Sequence, residues 1–318
     1  MPANSSERYR FAGSAPGEPL DASASPSARS YDAATMRLDF LQQRCHLMGI
    51  ASRRYKAMHN IRPPAVAGMF YPADATELQA QVNDYLRHPS AEGMRPKALI
   101  VPHAGYVYSG PVAASAYARL RPLREQITRV ILLGPAHRVA FRGLAASSAS
   151  AFRTPLGDIP LDTAMLANLS VLPQVRTLDE AHALEHSLEV QLPFLQTLLN
   201  AFTLVPLVVG DASYADVAEV LEQAWGGPET LIVISSDLSH YHDYATAKHM
   251  DATTSRAIEA LQPERIDFDH ACGRTPVGGL LTVARAHGLQ AEIVDLRNSG
   301  DTAGPRDQVV GYGAYVLH

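Results

Sequence analysis

From residue 61 to the end of the chain, short apolar runs of strand length alternate with amphipathic stretches of helical length, and this alternation restricts the chain to a layered α/β fold. The apolar runs are Ala98–Val101, Arg129–Leu133, Leu204–Val209, Leu231–Ile234, Ala291–Leu296 and Val310–Leu317. Runs this short and this uniformly apolar predict strands covered on both faces. Between them the pattern predicts helices over 74–86, 111–119, 162–169, 185–199, 215–225, 245–261 and 275–286. No repeat or linker interrupts the series. The expectation is one α/β domain over residues 58–318, with a central, largely buried sheet flanked by helices.

The first 30 residues read differently, being dominated by Ser, Ala, Pro and Gly with few large apolar side chains. Such a segment cannot bury enough surface to offset its ordering entropy, so residues 1–57 are expected to form a disordered or weakly helical extension. Two alternatives remain for its end: an isolated helix over 34–57, or translation that begins at Met58.

Composition narrows the partners. A formal net charge of −5 offers no basic field for a phosphate backbone, which argues against nucleic acid. No stretch approaches the roughly 20 apolar residues of a membrane-spanning helix, and the amino terminus lacks the apolar core of a signal peptide; a cytoplasmic address is expected. The two cysteines, Cys45 and Cys272, stand far apart, so a disulfide framework is not expected.

Three of the apolar runs end in a histidine within a short loop: Leu99-Ile100-Val101-Pro102-His103, Ile131-Leu132-Leu133-Gly134-Pro135-Ala136-His137, and Ile232-Val233-Ile234 followed by Ser235-Ser236-Asp237-Leu238-Ser239-His240. Ligands of open α/β sheets bind outside the carboxyl ends of the strands, so three histidines delivered there can share one site. With 13 histidines in the chain, chance placement in surface loops is the competing explanation. Two neutral imidazoles and one anionic ligand would leave open positions on iron, copper or zinc. Cys272 is the candidate anion, placed before a helix start and beside Arg274, both of which favour thiolate; a cysteine can equally fill a core position as a small hydrophobe.

The segments Pro102-His103-Ala104-Gly105-Tyr106-Val107-Tyr108-Ser109-Gly110, Gly134-Pro135-Ala136-His137, Glu185-His186-Ser187-Leu188-Glu189, Ser235-Ser236-Asp237-Leu238-Ser239-His240 and Cys272-Gly273-Arg274 resemble, in order and spacing, the Memo family. The prokaryotic members are the B component of the AmmeMemoRadiSam system. The resemblance extends from Gly68-Met69-Phe70-Tyr71 to Gly311-Tyr312-Gly313-Ala314 and implies the fold of class III extradiol ring-cleavage dioxygenases. It implies metal ligation by His103, His137 and Cys272, with His240 in the place of the dioxygenase acid/base. Where those dioxygenases carry a glutamate ligand, this chain has Cys272, so the ring-cleavage activity does not transfer automatically.

Around this centre, Asp237 is expected either to orient His240 or to cap its own loop. Phe70, Tyr71, Tyr106 and Tyr108 are candidate aromatic walls, with core packing as the alternative for each. His186 is expected to project into the pocket from the first turn of a helix, and His182, four residues earlier, forms with it a weaker second metal candidate. The resemblance implies three readings: a non-haem iron- or copper-dependent oxygenase-like oxidoreductase with a small-molecule substrate; an adaptor for phosphotyrosine peptides, with Arg138 and Arg274 as the nearest cations; or a metal-handling partner of an AMMECR-type and a radical S-adenosylmethionine protein.

Overall fold

A computed structural model describes residues 60–87 and 95–318. The expectations for residues 1–57 and for a start at Met58 lie outside these described residues.

In chain order the elements are β1 (Ile61–Arg62), α1 (Ala75–Tyr85), β2 (Ala98–Val101), α2 (Tyr106–Tyr117), β3 (Arg129–Pro135), β4 (Leu144–Ala146), β5 (Ala151–Thr154), β6 (Gly157–Pro160), α3 (Thr163–Leu169), β7 (Val175–Thr177), α4 (Asp179–Ala183), α5 (Leu192–Leu198), β8 (Thr203–Val209), α6 (Tyr214–Gln223), β9 (Thr230–Ser235), β10 (His240–His242), α7 (Tyr244–Glu259), α8 (Arg274–Ala286), β11 (Ala291–Asn298) and β12 (Val309–Leu317). The fold is mixed α/β, with a large central sheet flanked by helices. At its centre β2, β9, β3 and β8 run parallel in that order. These four are the runs that read as uninterrupted apolar sequence. Leu99, Ile100, Ile131, Leu132, Val205, Leu207, Ile232 and Val233 are all fully buried.

The sheet is extended by antiparallel neighbours. β12 pairs with β11, with β10 and with β2, while β4 lies antiparallel to β8 and carries β7 beyond it. A separate small sheet joins β1, β5 and β6.

Several helices start where a short polar side chain caps them: Asp74 accepts from the backbone of Thr76 and Glu77, Ser213 forms a capping box with Asp216, and Asp243 accepts from Ala245 and Thr246. Two helices depart from the sequence pattern. α2 starts at Tyr106, five residues before Pro111, which sits inside the helix. The carbonyl that Pro111 cannot bond belongs to Val107, which is exposed to solvent. The helix expected over 185–199 is broken: α4 ends at Ala183, a turn and a 3-10 segment over Glu189–Gln191 follow, and α5 begins at Leu192. At this turn the Glu185 carboxylate accepts from the main-chain N–H groups of His186 and Ser187, donors that α4 would pair with its own carbonyls if it ran on past Ala183.

Candidate metal centre

The parallel order of β2, β9 and β3 sends three loops out of the same sheet edge. Each delivers a polar side chain two residues beyond its strand: His103 after Val101, Asp237 after Ser235, and His137 after Pro135. β9 lies between the other two strands, so the middle loop can brace its neighbour. Asp237 Oδ1 accepts from the main-chain N–H of His103 at 2.7 Å.

The orientation of His103 follows from counting protons. Ser235 Oγ donates to the Ser187 carbonyl at 2.5 Å and accepts from Gln191 Nε2 at 2.8 Å. Its one hydrogen is therefore committed, and its contact with His103 Nδ1 at 3.0 Å makes that nitrogen the donor. Nε2 of His103 is left with a free lone pair. In His137 the same outcome is produced by Glu185, whose carboxylate accepts from Nδ1 at 2.9 Å and from the main-chain N–H at 2.6 Å. A carboxylate behind a histidine fixes the ring and its tautomer in the manner of metal-binding imidazoles.

The third histidine is His186, placed by the turn that Glu185 creates. One nitrogen from each of His103, His137 and His186 lies within 4.8 Å of the others, a cluster able to hold one metal ion. The rings of His137 and His186 stack at 4.7 Å, and the Phe70 ring lies 4.8 Å from that of His186 in a tilted arrangement. Close packing at this corner requires Gly134, since a Cβ there would stand 2.8 Å from Ser187 Oγ.

Burial sets the charge of these groups. Desolvation, reinforced by repulsion from His137, pushes the His103 imidazolium down to about 3; desolvation and then His103 push His186 down to about 4. Both imidazoles are neutral across the physiological range. Burial alone would raise Glu185, but the hydrogen bonds and charge of His137, together with main-chain donors, overcome it and hold the carboxyl down to about 2. Asp237 is raised, because burial outweighs its bond from His103.

Cys272 stands beside this cluster with Sγ 3.3 Å from His103 Nε2 and 3.7 Å from the Asp237 carbonyl. The expected depression of its thiol pKa is reversed. Burial, followed by the Asp237 carboxylate, pushes it up to about 12, and Arg274 does not offset this because its guanidinium lies over the Phe268 ring, 5.1 Å from the centroid. A coordinating cation is what converts such a thiol to thiolate. The donor types present, neutral imidazoles with an adjoining thiol and a buried Nδ1 of His186 lacking a hydrogen-bond partner, fit a borderline or soft transition metal.

The cluster opens into a cavity of about 650 Å³ whose lining includes Phe70, Tyr108, His240, Tyr241 and Tyr312 as well as the three histidines, Asp237 and Cys272. His240 enters from β10 at a register shift opposite Val310, where Tyr241 takes the left-handed backbone region at φ 61°. Asp237 and His240 share this cavity without an ion pair between them; the hydrogen bond of the Asp237 carboxylate goes to the first loop. Tyr71 and Tyr106 lie in the core behind it, their hydroxyls donating to Glu189 Oε1 at 2.5 Å and to the Val190 carbonyl at 2.7 Å. Neither they nor Arg274 line the cavity. His182 is buried elsewhere, with Nε2 2.9 Å from the Ala145 carbonyl, and does not join His186 in a cluster.

Sequence reasoning did not single out Glu185, Ser235 or Tyr312. The signal for Glu185 was its place next to His186, and for Tyr312 its alternation with Val310 along one strand.

The family model described as Memo-like protein matches residues 62–316. This chain belongs to the Memo family. A MEMO1 family protein of Aquifex aeolicus is 37% identical over 263 residues, covering 79% of this chain and 97% of that protein. One from Aeropyrum pernix is 37% identical over 282 residues, covering 80% and 98%. Among solved structures, the uncharacterized protein JW3007 from Escherichia coli K12 superposes with a TM-score of 0.50 at 14% identity, covering 70% of this chain and all of that one, a likeness of fold alone.

Proposed function

We propose that this Memo-family chain is a metal-dependent, oxygenase-like oxidoreductase that holds iron or copper through His103, His137 and Cys272, with His186 completing the wall of the metal pocket. The observation that carries the reading is the locking of two imidazoles by different partners. Ser235 fixes one ring and Glu185 the other, each through Nδ1, so that both Nε2 lone pairs remain for a cation. Two neutral nitrogens and a thiolate suit iron or copper, with zinc as a redox-silent competitor, and when bound such an ion supplies electron transfer and open positions for oxygen or substrate.

The chain's own residues supply the rest. The aromatic walls at Phe70, Tyr108 and Tyr241 shape the cavity for a small, flat substrate. His240 is the proton carrier, since neither ring nitrogen is spent on a hydrogen bond within the described residues and its ring faces the same space as the cluster. Asp237 holds the His103 loop in place through the main-chain N–H of His103.

The adaptor reading is less well supported. A phosphotyrosine site needs cations, and no Arg or Lys is among the residues that line this cavity. Partnership with AMMECR-type and radical S-adenosylmethionine proteins rests on the family resemblance and is tested by co-purification. The enzymatic reading is tested by loading the protein with Fe(II) or Cu(I) without oxygen, then measuring metal content and oxygen uptake with a panel of catechols. Metal uptake that requires His103 and His137, with oxygen consumption that requires His240, supports it. Full metal occupancy with no oxygen consumption for any catechol would move the chain to a binding or metal-handling role.

A further inference from the structure

Tyr71, Tyr106, Tyr117, Tyr312 and Tyr315 are the buried tyrosines of the described core. Four of them spend their hydroxyl within the protein: Tyr71 on Glu189, Tyr106 on the Val190 carbonyl, Tyr117 on Gln191 Oε1 at 3.0 Å, and Tyr315 on Ser255 Oγ at 2.6 Å. Tyr312 makes no hydrogen bond among the described residues, although only 2% of its surface is exposed. Its hydroxyl oxygen is not among the fully enclosed polar atoms that lack a partner, so the ring is buried while the hydroxyl reaches accessible space. Tyr312 lines the cavity that holds the histidine cluster.

The placement follows from the sheet. Tyr312 and Val310 are two residues apart on β12 and face the same side, and both line the cavity. The strand is held in register there by Leu238 N–H to the Gly311 carbonyl and Gly311 N–H to the Ser239 carbonyl, each 2.8 Å, so the loop that carries Asp237 and the strand that carries Tyr312 move together. Tyr108 and Tyr241 line the same space and, unlike Tyr312, are substantially open to solvent. They form the mouth, and Tyr312 lies deeper.

We propose that Tyr312 is the ligand-binding hydrogen-bond donor of this cavity and that its partner is an oxygen on a flat aromatic molecule, a phenolate or catecholate seated between the Phe70, Tyr108 and Tyr241 walls. The hydroxyl is suited to donating and not to ionising, because burial and then the nearby Asp237 carboxylate raise its pKa well above the ordinary phenol value. The inference deepens the oxygenase-like reading and rests on it for the neighbouring metal.

The test is titration of the anaerobic Fe(II)-loaded protein with 4-nitrocatechol, whose visible absorption reports its ionisation, for wild type and Tyr312→Phe. Iron content is measured on the same samples, and a thermal melt checks that the conservative variant is folded. The expected result is unchanged iron content and binding weaker by about 10- to 100-fold in the variant, the loss typical of a hydrogen bond to a charged acceptor. A shifted absorption maximum of the bound probe should accompany it. Equal affinity and equal spectra in the two proteins overturn the proposal. So does an iron-loaded wild type that takes up no 4-nitrocatechol, a result that leaves the metal centre standing. Wild type that takes up no iron removes both the metal reading and the proposal built on it.

Discussion

The Glu185 carboxylate accepts two hydrogen bonds from one residue, His137, through the ring Nδ1 at 2.9 Å and the main-chain N–H at 2.6 Å. It thereby fixes both where the imidazole sits and which nitrogen is left for a ligand. Glu185→Gln keeps the shape and removes the charge, and its NH₂ cannot replace both acceptor contacts. The expected outcome is a roughly 10- to 100-fold loss of metal affinity, as for other carboxylates that back a metal-binding histidine. Competition against a chromophoric chelator measures it.

Ser235 fixes His103 in the same sense: its one hydroxyl proton goes to the Ser187 carbonyl, so its oxygen accepts from Nδ1. In metal-free wild-type protein, ¹⁵N-resolved NMR of the histidine rings is expected to show His103 protonated at Nδ1 only. Ser235→Ala should give a mixture of tautomers and weaker metal binding, about tenfold. A single unchanged tautomer in the variant would show that Ser235 is not the determinant.

Glu189, four residues after Glu185, has a structural task. Its fully buried carboxylate is paired with the Arg62 guanidinium and also accepts from the main-chain N–H groups of Ala65 and Val66 and from Tyr71. Arg62 in turn donates to the carbonyls of His182 and Glu185, which ties the turn that carries His186 to β1. Glu189→Ala leaves a buried guanidinium without its counter-charge and is expected to cost roughly 3–5 kcal/mol in urea denaturation. Pairing it with Arg62→Met should recover part of the loss.

Asp179 anchors the other end of that segment. It accepts from Ser147 Oγ at 2.9 Å and from Ser148 N–H at 2.8 Å, and although burial would raise its pKa, these bonds lower it. A carboxyl depressed in the folded state stabilises the fold above its unfolded pKa, near 4, and that contribution disappears as pH falls through the folded value. Stability measured between pH 6 and 3 should therefore drop less steeply in Asp179→Asn than in wild type. Parallel curves would contradict this.

The fold was largely legible because its central strands are buried on both faces. β2 was read to the residue, and the other central strands to within two residues at either end. The short peripheral strands β1, β4, β6 and β7 were not legible, since two to four residues carry no period and their pairing is decided by distant partners. The strand-exit histidines were legible for the same reason as the strands. The pattern of Leu188, Leu192 and Leu195 suits a helix and puts His186 at its start, whereas His186 sits in a turn where the Glu185 carboxylate accepts from His186 and Ser187 and, over a long range, from His137, and the helix begins only at Leu192. The aromatic candidates separated by what their hydroxyls touch. Tyr71 and Tyr106 resemble Tyr108 in sequence context, but the buried acceptors Glu189 and the Val190 carbonyl draw them into the core.

The central claim is that the loops after β2 and β3 together with Cys272 bind one transition-metal ion. Its most direct test is an anaerobic Co(II) titration followed by absorption in wild type, His103→Ala, His137→Ala and Cys272→Ala. The account predicts one equivalent bound by wild type with a thiolate-to-cobalt charge-transfer band, loss of tight binding in both histidine variants, and loss of that band in Cys272→Ala. Cobalt binding that survives unchanged in His103→Ala and His137→Ala, or a charge-transfer band that persists without Cys272, would contradict it.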